Sequence, residues 1–186
     1  MSRRRDAGVS SSQAPSDVRT ASPRRIRALV LPALAAPALV VLSLTGCSGR
    51  STLTLEVDHP HFENIHLVDL GDEGPSAGDI RVFTATGTSA GNTPVRTDWE
   101  LITIDHSATS EIRNARATFV FGDGADQLVF AGSATYPVDG GTLDKGVVVR
   151  RAVLGGTGRY AGATGWVETT HKADDTWTHV FHLTLP

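Results

Sequence analysis

The sequence predicts an all-β domain, built as a meander of eight or nine antiparallel strands and preceded by an N-terminal leader. After residue 50 no segment shows an apolar repeat of period 3.6 over ten residues, which argues against long amphipathic helices. Short segments rich in β-branched and aromatic residues recur instead, with Gly, Asp and Pro between them. This arrangement is typical of neighbouring antiparallel strands.

Eight segments carry the strand signal clearly, and a ninth, residues 65–70, carries it more weakly. In chain order the eight are residues 53–57, 80–87, 97–104, 115–121, 127–135, 146–154, 165–170 and 176–185.

Turn-forming residues separate these segments. Gly122-Asp123-Gly124 and Ala173-Asp174-Asp175 predict hairpins, whereas residues 87–94 and 140–141 predict longer loops. Residues 72–79 are too rich in Gly, Pro and acidic residues for a regular element. Because the connections are short, we expect either a sandwich or a closed barrel, and closure would remove exposed strand edges.

Aromatic residues fall on single faces of the predicted strands. Phe119 and Phe121 share one side of their strand, and Trp177 begins the apolar face of the last strand. Such faces form the core of a filled barrel and line the cavity of a hollow one. The candidate cavity residues are therefore Trp99, Phe119, Phe121 and Trp177.

Residues 1–46 have the organisation of a secretion signal. Seven arginines precede an uncharged run, residues 28–44, which ends in Leu44-Thr45-Gly46-Cys47. This ending resembles a bacterial lipobox, which implies cleavage before Cys47, a lipid on its sulfur and an extracytoplasmic domain held at the membrane. A permanent transmembrane anchor is the alternative, but the run is shorter than the about 20 residues of a span and contains two prolines. Both Sec and Tat export fit the leader.

The predicted organisation is a signal peptide over residues 1–46, a lipidated Cys47 with a short linker to residue 52, and one domain over residues 53–186. The chain has 17 Lys and Arg against 20 Asp and Glu, and removing the leader leaves 10 against 18. Because phosphates are repelled by such an acidic domain, nucleic-acid binding is not expected. Cys47 is the only cysteine, so no disulfide can stabilise the domain.

Two glycine-containing motifs resemble the allene oxide cyclase-like and dirigent-like barrel superfamily. The first is Gly78-Asp79 at the start of an early strand, and the second is the run Gly-Gly-Thr-Gly-Arg-Tyr-Ala-Gly-Ala-Thr-Gly over residues 155–165. The second motif also fits a dinucleotide-binding turn, but a strand-like segment follows it where a helix is needed. The resemblance covers residues 53–186.

The resemblance implies a single eight-stranded antiparallel β-barrel, often a homotrimer, around an apolar cavity. It further implies a small apolar ligand, no metal or redox cofactor, and cofactor-free isomerase or cyclase activity in some members. The plant cyclase uses a glutamate at a position that Glu56, 22 residues before Gly78, matches here. Glu56 is thus the candidate catalytic residue, and a solvated strand carboxylate is its alternative interpretation.

Two other site chemistries are less consistent with the sequence. His59, His61 and His66 lie close in sequence, but a catalytic zinc needs three convergent ligands, so we expect no metal. Arg150-Arg151, near Arg159, could bind a carboxylate or phosphate; alternatively, one arginine is exposed, the other points inward and acids satisfy both. A non-catalytic envelope protein that contacts a partner is the alternative to a ligand-binding barrel.

Overall fold

The computed structural model describes residues 49–138 and 141–186, which form nine β-strands and two short 3-10 turns. The strands are β1 (Ser51–His59), β2 (Glu63–Val68), β3 (Ile80–Ser89), β4 (Thr93–His106), β5 (Ser110–Phe121), β6 (Asp126–Pro137), β7 (Val148–Thr157), β8 (Thr164–His171) and β9 (Trp177–Leu185). The predicted signal peptide and Cys47 lie outside the described residues.

Pairing between β1 and β3 closes the sheet into a barrel. Along the order β1-β9-β8-β7-β6-β5-β4-β3 every strand pairs antiparallel with the next, and β1 also pairs with β3 through Val57–Ser89 and Asp58–Thr88. These eight strands form the closed antiparallel barrel that the resemblance predicted. β2 pairs with the other half of β3, residues 80–84, and adds a ninth strand at that edge.

Every predicted strand is confirmed, including the weak segment 65–70, but the loop predicted over residues 87–94 is wrong. β3 continues to Ser89 and β4 begins at Thr93, with only a 3-10 turn at Ala90–Asn92 between them. Gly87 belongs to the strand because β1 crosses directly over it: a Cβ there would lie 2.1 Å from the carbonyl oxygen of Asp58. The glycine marks a close backbone approach that permits barrel closure. From the sequence alone, the same glycine indicates a loop.

Aromatic side chains fill much of the barrel interior. Burial alternates along β5, where the odd-numbered residues from Glu111 to Phe121 face inward. Phe119, Phe130 and Phe181 are each 0% exposed, and their ring centroids lie 5.1 to 6.1 Å apart. Tilted and edge-on rings at these distances are favourable contacts, so this part of the interior is a packed core.

The glycine-rich run over residues 155–165 forms the corner between β7 and β8. It contains a 3-10 turn, Gly158–Tyr160, whose Tyr160 is 2% exposed and packs 5.1 Å from Phe121. Gly158 has φ +58°, and its neighbour Arg159 donates its backbone N–H to Asp126 Oδ1 at 2.8 Å. The motif therefore serves a structural corner, since no α-helix begins there to bind a phosphate.

The turn before β3 depends on Asp79. Its carboxylate is 2% exposed and accepts backbone N–H groups from Leu70 and Ser76, both at 3.0 Å. These two hydrogen bonds are the main reason that the pKa of Asp79 is lowered. The Gly-Asp motif thus holds residues 70–79 against the end of the barrel.

Among the described residues, no helix has the length and apolar character needed to cross a membrane.

Candidate functional site

The barrel encloses a cavity of about 340 Å³. Ile65 and Leu67 of β2 are 64% and 60% exposed, so they lie at its mouth. The remaining lining residues come from the loop after β1, from seven barrel strands and from the loop before β7: Phe62, Arg81, Phe83, Trp99, Leu101, Arg113, Tyr136, Gly141, Thr142, Leu143, Arg151, Thr169 and Trp177. The volume lies near the lower end of the range for small-molecule sites, about 300–1,000 Å³.

Aromatic rings form one part of the cavity wall. Phe62 contacts both Phe83 and Trp177, with ring centroids 4.5 and 4.9 Å away. Phe83 in turn stacks on Trp99 at 5.7 Å with an interplanar angle of 18°. Pairing of β3 with β4 places Phe83 directly beside Trp99, so the sheet register itself builds this surface. Such a wall accommodates a flat or unsaturated apolar molecule.

Arginines form another part of the wall. Arg113, on the inward face of β5, is 1% exposed, and its Nε donates to Glu111 Oε2 at 2.7 Å. Its Nη1 donates to the carbonyl of Gly141, and its Cζ lies 4.5 Å above the ring of Tyr136. Arg81 also reaches Glu111, with 3.4 Å between Nη2 and Oε2, and donates to Thr103 at 2.8 Å. One carboxylate is therefore shared by two guanidinium groups.

Arg151 is the third arginine of the cavity and the most isolated. It is 3% exposed, and its Nη2 donates to the Tyr136 hydroxyl at 2.9 Å. Within residues 49–138 and 141–186 its Nε and Nη1 have no hydrogen-bond partner, and neither does Nη2 of Arg113. Because its charge lies in a poorly solvated environment, burial lowers the pKa of Arg151.

Two histidines lie behind the aromatic wall. His59 Nε2 and His179 Nε2 are 3.0 Å apart, and His179 Nδ1 is 3.1 Å from the hydroxyl of Thr169, which lines the cavity. Burial lowers the pKa of His59 to about 4 and holds that of His179 well below its ordinary value. Both imidazoles are therefore neutral at pH 7, and Thr169 connects them to the cavity.

The structure divides the candidate cavity residues into two groups. Trp99 and Trp177 line the cavity, each 6% exposed. Phe119 and Phe121 point inward as expected but belong to the packed core, in contact with Phe181 and Tyr160 respectively.

Glu56 lies on the exposed face of β1, opposite Val180 of β9, and does not line the cavity. The catalytic role of Glu56 stays a sequence-based prediction, and no contact with the cavity supports it.

One interpretation of Arg150-Arg151 was that one arginine is exposed, that the other points inward, and that acidic residues pair with both. The structure agrees with this interpretation only in part. Arg150 is exposed and pairs with Glu168 at 2.8 Å, and Arg159 pairs with Asp126 at the same distance. Arg151 points inward as that alternative required, yet no described carboxylate lies within ion-pair distance of it. The sequence did not indicate that the inward arginine lacks a carboxylate partner among the described residues.

Sequence reasoning missed Arg81, Arg113 and Tyr136 altogether. A signal for Arg113 was present, because it shares the odd-numbered face of β5 with Ala117 and Phe119. A charged residue on an otherwise apolar strand face is rarely buried without a partner or a function.

Among the described residues no three His, Cys, Asp or Glu side chains cluster as metal ligands would.

The fold and the cavity define a class of protein: a closed eight-stranded antiparallel barrel with an aromatic and partly cationic interior. No known protein family matches the sequence, and no curated protein matches it.

Among solved structures the chain is similar to pyocyanin demethylase, with a TM-score of 0.55 and 19% identity over 72% of this chain and 99% of that chain. The Diels Alderase AbmU from Streptomyces koyangensis aligns with a TM-score of 0.43 and 18% identity over 74% of this chain and 63% of that chain. The first likeness shows that the barrel fold is shared.

Proposed function

We propose that this protein binds a small aromatic or unsaturated apolar molecule inside the barrel. The observation that carries the proposal is the cavity of about 340 Å³, whose wall combines five aromatic side chains with a few fixed polar groups. Preformed apolar cavities with a small number of polar anchors are the usual form of small-molecule sites. Pyocyanin demethylase, which shares the fold, is named for a small-molecule substrate, and this agrees with the proposal.

We further propose membership of the allene oxide cyclase-like superfamily, with cofactor-free isomerisation or cyclisation as the reaction. A rigid aromatic wall can hold a flexible unsaturated substrate in one reactive shape, which lowers the entropic part of the barrier. Guanidinium groups beside that wall can stabilise negative charge that develops on a substrate oxygen. Arg113 and Arg151 are the residues placed to do so, because each has an N–H group without a partner among the described residues.

The three tryptophans provide a site-specific test of binding. Trp99 and Trp177 line the cavity, whereas Trp166 is 47% exposed on the outer face. We expect the neutral probe N-phenyl-1-naphthylamine to quench tryptophan fluorescence saturably in the wild type and in W166F. The double variant W99F/W177F is the matched control and should lose the quenching while keeping a wild-type circular dichroism spectrum. Absence of saturable quenching, or a response carried by Trp166, would contradict the proposal.

A second candidate function is association with a partner, since β2 and the residues just after it expose several apolar side chains. Ile65, Leu67, Val68 and Leu70 are between 45% and 64% exposed. Clustered exposed apolar residues often mark an interaction surface. The superfamily resemblance suggests a homotrimer, and native mass spectrometry of the wild type and of I65S/L67S would measure the subunit count. A trimer that becomes monomeric in the variant would support this second function.

Attachment to the outside of the cell membrane through Cys47 is also a proposal. It rests on the basic leader, the apolar run and the lipobox-like ending of the sequence. In the producing bacterium we expect the wild type to incorporate labelled palmitate and to partition into the detergent phase. C47A should do neither, and labelling of C47A would overturn the proposal.

A further inference from the structure

The cavity contains more positive charge than the surrounding protein compensates. Three guanidinium groups line it, and Glu111 is the carboxylate that pairs with two of them. Arg113 and Arg151 are at least 97% buried, and three of their N–H-bearing nitrogens have no acceptor among the described residues. A buried charge without a counter-charge destabilises the folded protein, so binding of an anion beside it is favourable.

Both arginines converge on Tyr136. Arg113 lies over its ring at 4.5 Å, and Arg151 donates to its hydroxyl at 2.9 Å. The register explains this convergence: Arg113 on β5 is opposite Ala134, two residues before Tyr136 on β6, and Arg151 lies on the neighbouring β7. Gly132 of β6 makes room for Arg151, because a Cβ there would stand 3.1 Å from its Cγ. Both guanidinium groups therefore lie at the Tyr136 side of the cavity.

We propose that the natural ligand carries a carboxylate, which Arg151 and Arg113 bind beside Tyr136 while the rest of the molecule lies on the aromatic wall. Planar guanidinium groups bind carboxylates through paired N–H···O bonds, which suits the unpartnered nitrogens of Arg151. The ligand class is thus an aromatic or polyunsaturated carboxylic acid. This inference rests on the proposed function, since it concerns the same cavity.

The test compares two probes of the same shape with the full-length chain carrying W166F. The probes are 2-naphthoate and its neutral amide, 2-naphthamide, and binding is measured by quenching of Trp99 and Trp177. We expect the carboxylate to bind about 10- to 100-fold more tightly than the amide, as charge-assisted hydrogen bonds to a buried partner predict. Equal affinities would overturn the inference and leave the proposed function intact. Binding of neither probe would overturn both.

Arg151→Met identifies the residue responsible, and Arg150→Met is its matched control. R151M should lose the preference for the carboxylate, while R150M, which changes an exposed arginine paired with Glu168, should keep it. Because R151M removes a buried charge without a carboxylate partner, we expect the ligand-free variant to melt at or above the wild-type Tm. A lower Tm with unchanged naphthoate affinity would assign Arg151 a structural role and overturn the inference. The wild-type comparison of the two probes does not depend on how R151M folds.

Discussion

His59 and His179 share a hydrogen bond of 3.0 Å between their Nε2 atoms although 120 residues separate them in the chain. Their rings stack with centroids 5.1 Å apart, and the pair is enclosed by Trp177 on one side and Phe119 on the other. One imidazole must donate and the other accept, and burial, which lowers the pKa of both rings, keeps them neutral at pH 7. The pair exists because β1 and β9 are neighbours in the closed barrel, with Val57 directly opposite His179.

This histidine pair predicts acid sensitivity. The pKa of His59 falls from 6.5 when unfolded to about 4 when folded, mainly through burial, and that of His179 moves in the same direction. The unfolded chain therefore binds more protons below pH 6.5, and the stabilisation present above that pH is lost as the pH falls toward 4. The expected loss is on the order of 3 kcal/mol for His59 alone.

Urea unfolding at several pH values between 7 and 4 measures the effect. H59F should flatten the decline, and H66Q, which changes an exposed histidine of β2, should follow the wild type. Asp58 and Lys172 pair at 2.9 Å near His59; the pKa of the aspartate is lowered and that of the lysine is raised, so the contact favours the charged form of both groups. A wild-type decline that persists unchanged in H59F would contradict the assignment.

The shared carboxylate Glu111 should be essential for stability. It is 2% exposed, and its removal would leave Arg81 and Arg113 without their common counter-charge. Breaking a buried ion pair by neutralising one partner costs about 3–5 kcal/mol, so we expect E111Q to lower the free energy of unfolding by this amount. The control is E168Q, whose arginine contact has nearly the same length, 2.8 Å, but lies at the surface. Chemical denaturation of both variants should show little change for E168Q.

The corner glycine Gly158 should resist substitution more strongly than Gly122, a glycine with nearly the same φ. Its φ is +58° and an added Cβ would lie 2.1 Å from Asp126 Oδ1 and 2.8 Å from the backbone carbonyl oxygen of Ala125, whereas Gly122 has φ +57° with no atom within 4 Å of the added Cβ. We expect G122A to cost about 1 kcal/mol through backbone strain alone and G158A about 3 kcal/mol or more. Thermal or urea unfolding compares them, and equal costs would show that the close approach to Asp126 is unimportant.

Asp79 should be needed to hold the turn before β3. D79N keeps one acceptor oxygen but loses the charge that two backbone N–H groups contact, so we expect a loss of about 1–3 kcal/mol. D69N is the control, because Asp69 accepts a single backbone hydrogen bond, from Gly74, at an exposed position. Hydrogen exchange should show faster exchange of the Leu70 and Ser76 amides in D79N. Unchanged exchange in D79N would mean that other contacts hold the turn.

Sequence reasoning succeeded where local chemistry decides structure. Strand propensity and turn residues located all nine strands, and the alternation rule put Phe119 and Phe121 on one face of their strand. It erred at residues 87–94, because Gly87 is required by a contact with β1 that no local pattern records. It could not separate core from cavity either: Phe119 and Trp99 both face inward, and only packing against neighbouring strands leaves space beside one of them.

The sequence by itself determined the all-β class, the strand positions, the corner at residues 155–165 and the prediction of a lipidated Cys47. Only the tertiary structure decided that β1 meets β3 to close a barrel, that a cavity remains within it, and that Arg81, Arg113 and Arg151 line this cavity. Strand and turn preferences act over a few residues and can be recognised in one segment. Closure, the His59–His179 pair and the convergence of two arginines on Tyr136 join residues from distant segments, so register and packing decide them.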